Sequence, residues 1–380
     1  MNDAVIIGAV RTPVGKRGGG LSETHPADLS AHVLNSLIDR SGINPAEVDD
    51  VVWGCVSQFG EQSFDIARTA VLSAGWPESV PGTTVDRQCG SSQQAVHFGA
   101  AGLIAGHYDA VVVGGVESMS RVPMGSATAG GSPFGEGYVA RYGDEFPNQG
   151  VGAEMIADQW NLSRMQLDEF ALESHARAAA AVDEGLFGRE VTSVTVKGKE
   201  VSNDEGIRRN GTLDKLGALR PVFREDGRIT AGNSSQISDG SAGLLLTTSE
   251  VAARMGVKPL ARIHTAVVAG SAPMPMLTGP IPATHKALAK SGLALSDIGV
   301  FEVNEAFASV PLAWASEFGV DLSLVNPRGG AIALGHPLGG SGARIMTTML
   351  HHMLDEQIRY GLQTMCEGGG QANATVVELL

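Results

Sequence analysis

The sequence predicts an α/β protein built from two similar halves with a segment inserted between them. Short β-branched runs alternate with longer Ala- and Leu-rich stretches at both ends of the chain, as buried strands alternate with covering helices. Four features also recur in the same order about 250 residues apart. VIIGAV from Val5 pairs with ARIHTAVV from Ala261, and VVWGCV from Val51 with VFEVNEAF from Val300. Asp86–Ser91 pairs with Ile332–Leu338, and YDAVVVGG from Tyr108 with YGLQTMCEGG from Tyr360. Such a repeat marks an internal duplication. The first half covers residues 1–118 and is completed by about 233–260, the insert covers 119–232, and the second half covers 261–380.

The insert opens with a Gly-, Pro- and Ser-rich stretch from Met124 to Gly150 that reads as a long loop. Ser163 and Gln166 then form a capping-box pattern ahead of Leu167, Phe170, Ala171, Ser174 and Ala178, which share one helical face. That helix is expected to pack on a small core of the insert's own.

Composition narrows the function classes. A chain of 380 residues is too long for one small module. Its net charge of −14 repels nucleic acid and anionic membrane surfaces. Hydrophobic residues at 43% and charged residues at 18% suit a chain with a sizeable core. Its 50 glycines fall in clusters without the collagen period, so backbone is expected to run close to a ligand or to a second segment. Cys55, Cys89 and Cys366 form no CxxC pair, so neither a disulfide framework nor a tetrathiolate metal site is readable, and a reducing compartment is expected. No cationic leader, no apolar run of ~18 residues and no SKL-type terminus is visible, and the expectation is a soluble cytoplasmic protein.

Three segments carry candidate chemistry. VDRQCGSSQQA places Cys89 between a strand and a small-residue helix, where free N–H groups and the helix dipole favour a thiolate. The bland alternative is a buried small hydrophobe, which the neighbouring Gly90, Ser91 and Ser92 weaken. In GGAIALGHPLGGSGAR, Pro337 biases His336 out of the helical region and suits the first position of a helix, leaving the imidazole at a glycine-lined mouth. The duplicated register sets His336 opposite Cys89, so the two meet if the halves pack about a pseudo-twofold axis. TMCEGGGQAN puts Cys366 at a strand end before Gly368, Gly369 and Gly370, whose amides suit a developing oxyanion or an ordinary turn.

Other signals are weaker. Asn304 and Glu305 end the strand in VNEAF, where a carboxamide orients water or a carbonyl, or simply caps a turn. Cys55, inside an apolar strand, reads as structural. GNSSQISDG offers hydroxyls and amides for a ligand's peptide-like groups or for solvent. Lys197–Arg228 is locally basic, a seat for a phosphorylated ligand or a solvated face.

Taken together, VDRQCGSSQQA, GNSSQISDG, VNEAF, GGAIALGHPLGGSGAR and CEGGGQ, in this order and spacing, resemble the thiolase family over nearly the whole chain. The resemblance implies two βα halves, each on a mixed five-stranded sheet, layered αβαβα, with an inserted loop domain. It implies that Cys89 is the acylated nucleophile, that His336 accepts its proton and that Cys366 is the second acid/base. It further implies one oxyanion hole from His336 and a water on Asn304, and another from the N–H groups of Cys89 and Gly368. Ser235 would lie beside the pantetheine arm of coenzyme A, Arg208 near its nucleotide, and Met276, Ala306 and Phe307 would form the apolar lining. Acyl-CoA and CoA would be the substrates, with no metal and no tightly bound cofactor, in a homodimer or homotetramer. Asn148-Gln149-Gly150 stands where many short-chain biosynthetic members carry a His-Met pair. Gln236 and Glu367 replace small or aliphatic residues, which speaks against a simple acetoacetyl-CoA pocket. SSQISDG, GPIPAT and TMCEGGG are most similar to actinobacterial members of lipid and sterol-ring catabolism. The alternatives are a biosynthetic thiolase, a ketosynthase-like condensing enzyme and a non-catalytic CoA-ester binding protein.

Overall fold

The computed structural model describes residues 2–144 and 148–380. In the first half and the insert the strands are β1 (Val5–Arg11), β2 (Gly15–Lys16), β3 (Asp50–Gly54), β4 (Thr83–Val85), β5 (Ala110–Ser118), β6 (Val194–Val196), β7 (Lys199–Val201) and β8 (Ser238–Thr247). The second half adds β9 (Ala261–Gly270), β10 (Val300–Val303), β11 (Tyr360–Glu367) and β12 (Gln371–Leu379).

The first half runs β4-β3-β5-β8-β1 and the second β10-β11-β12-β9, the same order with the same parallel and antiparallel steps. The two are hydrogen-bonded where β1 meets β9, Val5 opposite Arg262 and Ile6 opposite Ala261. The second half's counterpart of β4 is a single parallel bridge between Phe301 and Val325. A side chain takes over the missing strand. Asn326, in the left-handed region at φ 49, accepts the Val303 N–H at 2.8 Å and donates to the Val303 carbonyl at 2.8 Å.

Five layers follow from what the strands bury. Helices Ser91–Ala105 and Ser341–Glu356 lie in the middle, where Val96 and Leu103 share an apolar cluster with Met346, Leu350, Val111 and Val377. Helices Pro26–Ser41 and Ile66–Ser73 cover the outer face of the first half through Val33, Leu37 and Val71 against Trp53 and Leu245. Helices Pro280–Ser291 and Ser309–Phe318 cover the second through Ala287 and Trp314 against Phe301 and Val376. Strands buried on both faces read as continuous apolar runs, as in Ala110–Ser118.

The helix Arg164–Asp183 begins with the expected capping box: Ser163 accepts from the Gln166 N–H at 3.2 Å, and Gln166 accepts from the Ser163 N–H at 2.8 Å. It does not pack on a core of its own. Leu167, Phe170 and Ala171 join Met276, Phe307, Ile332 and Cys366 of the second half in one cluster. Five side chains on one face are too few to fill a separate core, so the face is buried against the larger domain. The stretch read as a long loop contains a short exposed helix, Glu136–Tyr142, and residues 145–147 within it lie outside the described residues.

Glycine lets the halves meet backbone to backbone. A Cβ on Gly115 would lie 2.2 Å from the Gly339 carbonyl oxygen and 2.6 Å from that of Gly54. A Cβ on Gly54 would lie 2.5 Å from the Ser92 amide. These contacts set the start of Ser91–Ala105 against the loop that carries His336. Gly115→Ala should therefore destabilise the fold by about 3 kcal/mol, whereas Gly217→Ala, with nothing within 4 Å, should be close to neutral. Urea unfolding of the two variants checks this.

Candidate active site

Cys89 sits in the turn between β4 and Ser91–Ala105. Asp86 Oδ1 accepts the Gln88 N–H at 2.7 Å, and Ser91 Oγ accepts the Arg87 N–H at 2.9 Å while donating to the Gln88 carbonyl at 2.6 Å. Gln88 is left-handed at φ 50, which folds the chain back and points the next residue inward. Cys89 is buried against Met119, Leu338, Ile345 and Met365. Burial pushes its thiol well above the ordinary range, and the nearby Cys366 and Glu367 add to this. Burial therefore opposes the thiolate that the helix end favours.

His336 lies on the loop ahead of the long helix Ser341–Glu356. Pro337 does not open a helix. It caps a 3-10 turn, Leu338–Gly340, and the long helix begins at Ser341. The His336 N–H donates to Ser238 Oγ at 3.1 Å, and Nδ1 lies 2.7 Å from Ser341 Oγ. Ser341 Oγ also contacts the Pro337 carbonyl at 2.8 Å. A hydroxyl has one proton; given to that carbonyl, it leaves Ser341 to accept Nδ1–H, so Nε2 keeps its lone pair. Burial, with Arg344 nearby, lowers the imidazole pKa to about 3, so His336 is a neutral acceptor.

Asn304 and Cys366 complete the cluster. Asn304 Nδ2 lies 3.5 Å from His336 Nε2, and its Oδ1 is buried without a protein partner, which suits an ordered water. Cys366, fully buried on β11, has its thiol pushed up to about 12 by burial and by Glu367, with a bond from Asn304 acting the other way. Gly368 begins the turn into β12. A Cβ there would lie 3.0 Å from Gln88 Oε1 and 3.4 Å from Gln149 Nε2, so the turn faces the Cys89 loop.

The residues expected along the ligand also converge, with one exception. The Ser235 N–H donates to the Ala306 carbonyl at 2.9 Å, and Ser234 bridges Phe307. Met276, Ala306 and Phe307 share an apolar cluster with Cys366. Arg208 stands apart, exposed at a pocket of about 420 Å³ that includes His175, Arg209 and Lys215. Gln236 braces the loop: its carboxamide donates to the Ile332 carbonyl at 2.8 Å and the Gly206 carbonyl at 2.9 Å.

Two buried carboxylates that the sequence reading did not assign hold these loops. Glu117 accepts from the N–H groups of Val56, Ser57 and Gly339 at 2.9–3.0 Å, joining the loop after β3 to the His336 loop. Glu305 accepts from Ser174 at 2.7 Å, Asn326 at 2.9 Å and the Ile332 N–H at 3.2 Å. A lone acid closing an apolar strand, as in AVVVGGVES, was the available signal. Among the described residues no group of three or more His, Cys, Asp or Glu could hold a metal ion, and no helix is long and apolar enough to cross a membrane.

Comparison with known proteins agrees over the full length. Residues 4–250 match the thiolase N-terminal domain and residues 257–379 the thiolase C-terminal domain. The chain is 50% identical to the steroid 3-ketoacyl-CoA thiolase FadA6 of Mycobacterium tuberculosis, covering 100% of this chain and 95% of the relative. It is 45% identical to the 3-ketoacyl-CoA thiolase of Pseudoalteromonas translucida, covering 100% and 99%. The solved acetyl-CoA acetyltransferase of Bacillus anthracis superposes with a TM-score of 0.92 at 39% identity, covering 100% of this chain and 99% of that one. The chain belongs to the thiolase family of acyltransferases.

Proposed function

We propose that the protein is a degradative thiolase that cleaves a 3-ketoacyl-CoA with free CoA, by ping-pong acyl transfer through Cys89. The observation that carries the mechanism is the buried cluster in which a neutral imidazole, Asn304 and Cys366 stand together, with Cys366 close enough to perturb the Cys89 thiol. His336 Nε2 takes the Cys89 proton as sulfur attacks the keto carbon. The Cα–Cβ bond breaks, its electron pair forms the acetyl-CoA enolate, and the Cys366 thiol protonates that carbon. Incoming CoA gives its proton to the Cys366 thiolate and takes the acyl group, and His336 returns the first proton to Cys89. The N–H groups of Cys89 and Gly368 would hold the oxyanion on the keto carbon. Protonated His336 and a water on Asn304 would hold the enolate oxygen.

The substrate reading is a bulky or branched 3-ketoacyl-CoA, supported by the similarity to the steroid 3-ketoacyl-CoA thiolase of Mycobacterium tuberculosis and by Asn148-Gln149-Gly150. Arg208, with Arg209 and Lys215 beside it, is assigned to the nucleotide phosphates of CoA. A cytoplasmic homodimer or homotetramer belongs to the same reading and rests on the family resemblance. A ketosynthase-like reaction is disfavoured because Cys366 occupies the place of that chemistry's second partner.

Incubation with acetyl-CoA should add one acetyl group to the protein, read by intact mass, and Cys89→Ser should abolish the adduct. An unmodified wild-type protein under turnover conditions would support a binding protein instead. Cys366→Ser should slow proton exchange into acetyl-CoA by about 10²–10⁴-fold while leaving the adduct in place. Arg208→Ala should raise the KM for CoA about tenfold, or ~1.4 kcal/mol, with kcat little changed. Thiolysis rates across a series of 3-ketoacyl-CoA esters should favour branched or ring-bearing chains; a preference for acetoacetyl-CoA would favour the biosynthetic alternative.

A further inference from the structure

Glu367 follows Cys366 at the end of β11 and is fully buried, yet neither of its carboxyl oxygens has a hydrogen-bond partner. A second buried acceptor without a partner, Asn373 Oδ1 on β12, stands in the same place. Asn373 spends its Nδ2 on Gln94 Oε1 at 3.1 Å and His97 Nδ1 at 3.0 Å. Both bare oxygens face Gly90: a Cβ there would lie 1.9 Å from Glu367 Oε1 and 2.7 Å from Asn373 Oδ1. Two acceptors confined together in a dry place repel unless a proton lies between them, and an unpaired buried carboxylate neutralises before it tolerates such a site.

The duplication supplies an internal comparison. In the register that pairs Tyr108 with Tyr360, the counterpart of Glu367 is Gly115. Gly115 makes the equivalent contact in the first half, packing on the glycine turn that opens helix Ser341–Glu356. The architecture therefore closes with glycine at this position and does not demand a carboxyl group.

We propose that Glu367 is a positioning residue held as a neutral carboxylic acid, its proton donated to Asn373 Oδ1, and that its ionisation suppresses the reaction by setting a negative charge beside both thiols. The proposal rests on the assignment of Cys89 and Cys366 as the reacting thiols. The groups facing Glu367 are Asp86, Arg87 and Cys89 from the turn before Ser91–Ala105, His97 on that helix, and Cys366 on β11. Arg87 donates through Nη1 to Gln371 Oε1 at 2.9 Å, and its Nε is buried without a hydrogen-bond partner. Burial raises the Glu367 carboxyl to about 8, with Arg87 and the backbone N–H of Asn373 opposing and Asp86 assisting, and burial lowers the His97 pKa to about 3. Below about 8 Glu367 is neutral; above it, its carboxylate charge raises both thiols.

The test is kcat/KM for thiolysis against pH in wild type, Glu367→Gln and Cys89→Ser. Wild type should lose activity as pH rises through about 8. Glu367→Gln, neutral at every pH, should lose that alkaline limb when each profile is scaled to its own neutral-pH rate. If the Gln variant does not fold, Glu367→Gly, the residue of the other half, takes its place. Thermal melting gives a second readout. A folded-state carboxyl raised above its unfolded value contributes stability that is lost as pH rises from the ordinary carboxyl range through about 8, so wild type should show this loss and Glu367→Gln should not. Superimposable pH profiles, or an equal loss of rate at all pH values in the Gln variant, would overturn the proposal. Full activity in Cys89→Ser would instead overturn the assignment on which it rests.

Discussion

The removal of two thiols and one imidazole from water is the constraint on which the site depends. Burial penalises the charged form of each, so Cys89 and Cys366 are held as thiols and His336 as a neutral base. A helix end contributes about 0.3–1 kcal/mol, whereas a single tenfold change in acid dissociation already costs about 1.4 kcal/mol. Burial thus works against the helix N-terminus beside Cys89. In the proposed mechanism, charge appears together with the substrate, by transfer from Cys89 to His336. This is an economical way to keep a nucleophile inert towards water and stray electrophiles until a thioester excludes both.

Such a site works only if the groups do not drift, and the fold spends its buried polar atoms on that. The loop from Gly330 to Ser341 is gripped at Gly330 by Ser174, at Ile332 by Glu305 and Gln236, at His336 by Ser238 and at Gly339 by Glu117. Those anchors come from the insert, the second half and the first half together. The insert is thus more than a cover: its long helix reaches the imidazole loop through Ser174 and the thiol cluster through Phe170.

Much of this was legible in the sequence because the reacting residues stand at element ends bracketed by glycine. Cys89, His336 and Cys366 were picked out by that punctuation, and the duplicated register set the first two opposite each other. The braces were not legible. Glu117 and Gln236 bond to backbone groups far away in sequence, and a side chain satisfying a remote amide leaves no periodic trace. Asn326 shows the same limit: its carboxamide takes the place of an edge strand, so the second half has one strand fewer than the first.

The resting protonation state is the claim from which the chemistry follows. Ultraviolet difference absorbance of the thiolate, recorded for the free enzyme against Cys89→Ser at neutral pH, tests it directly. The account predicts no thiolate signal from Cys89 until substrate is added. A full thiolate signal in the unliganded enzyme would contradict it.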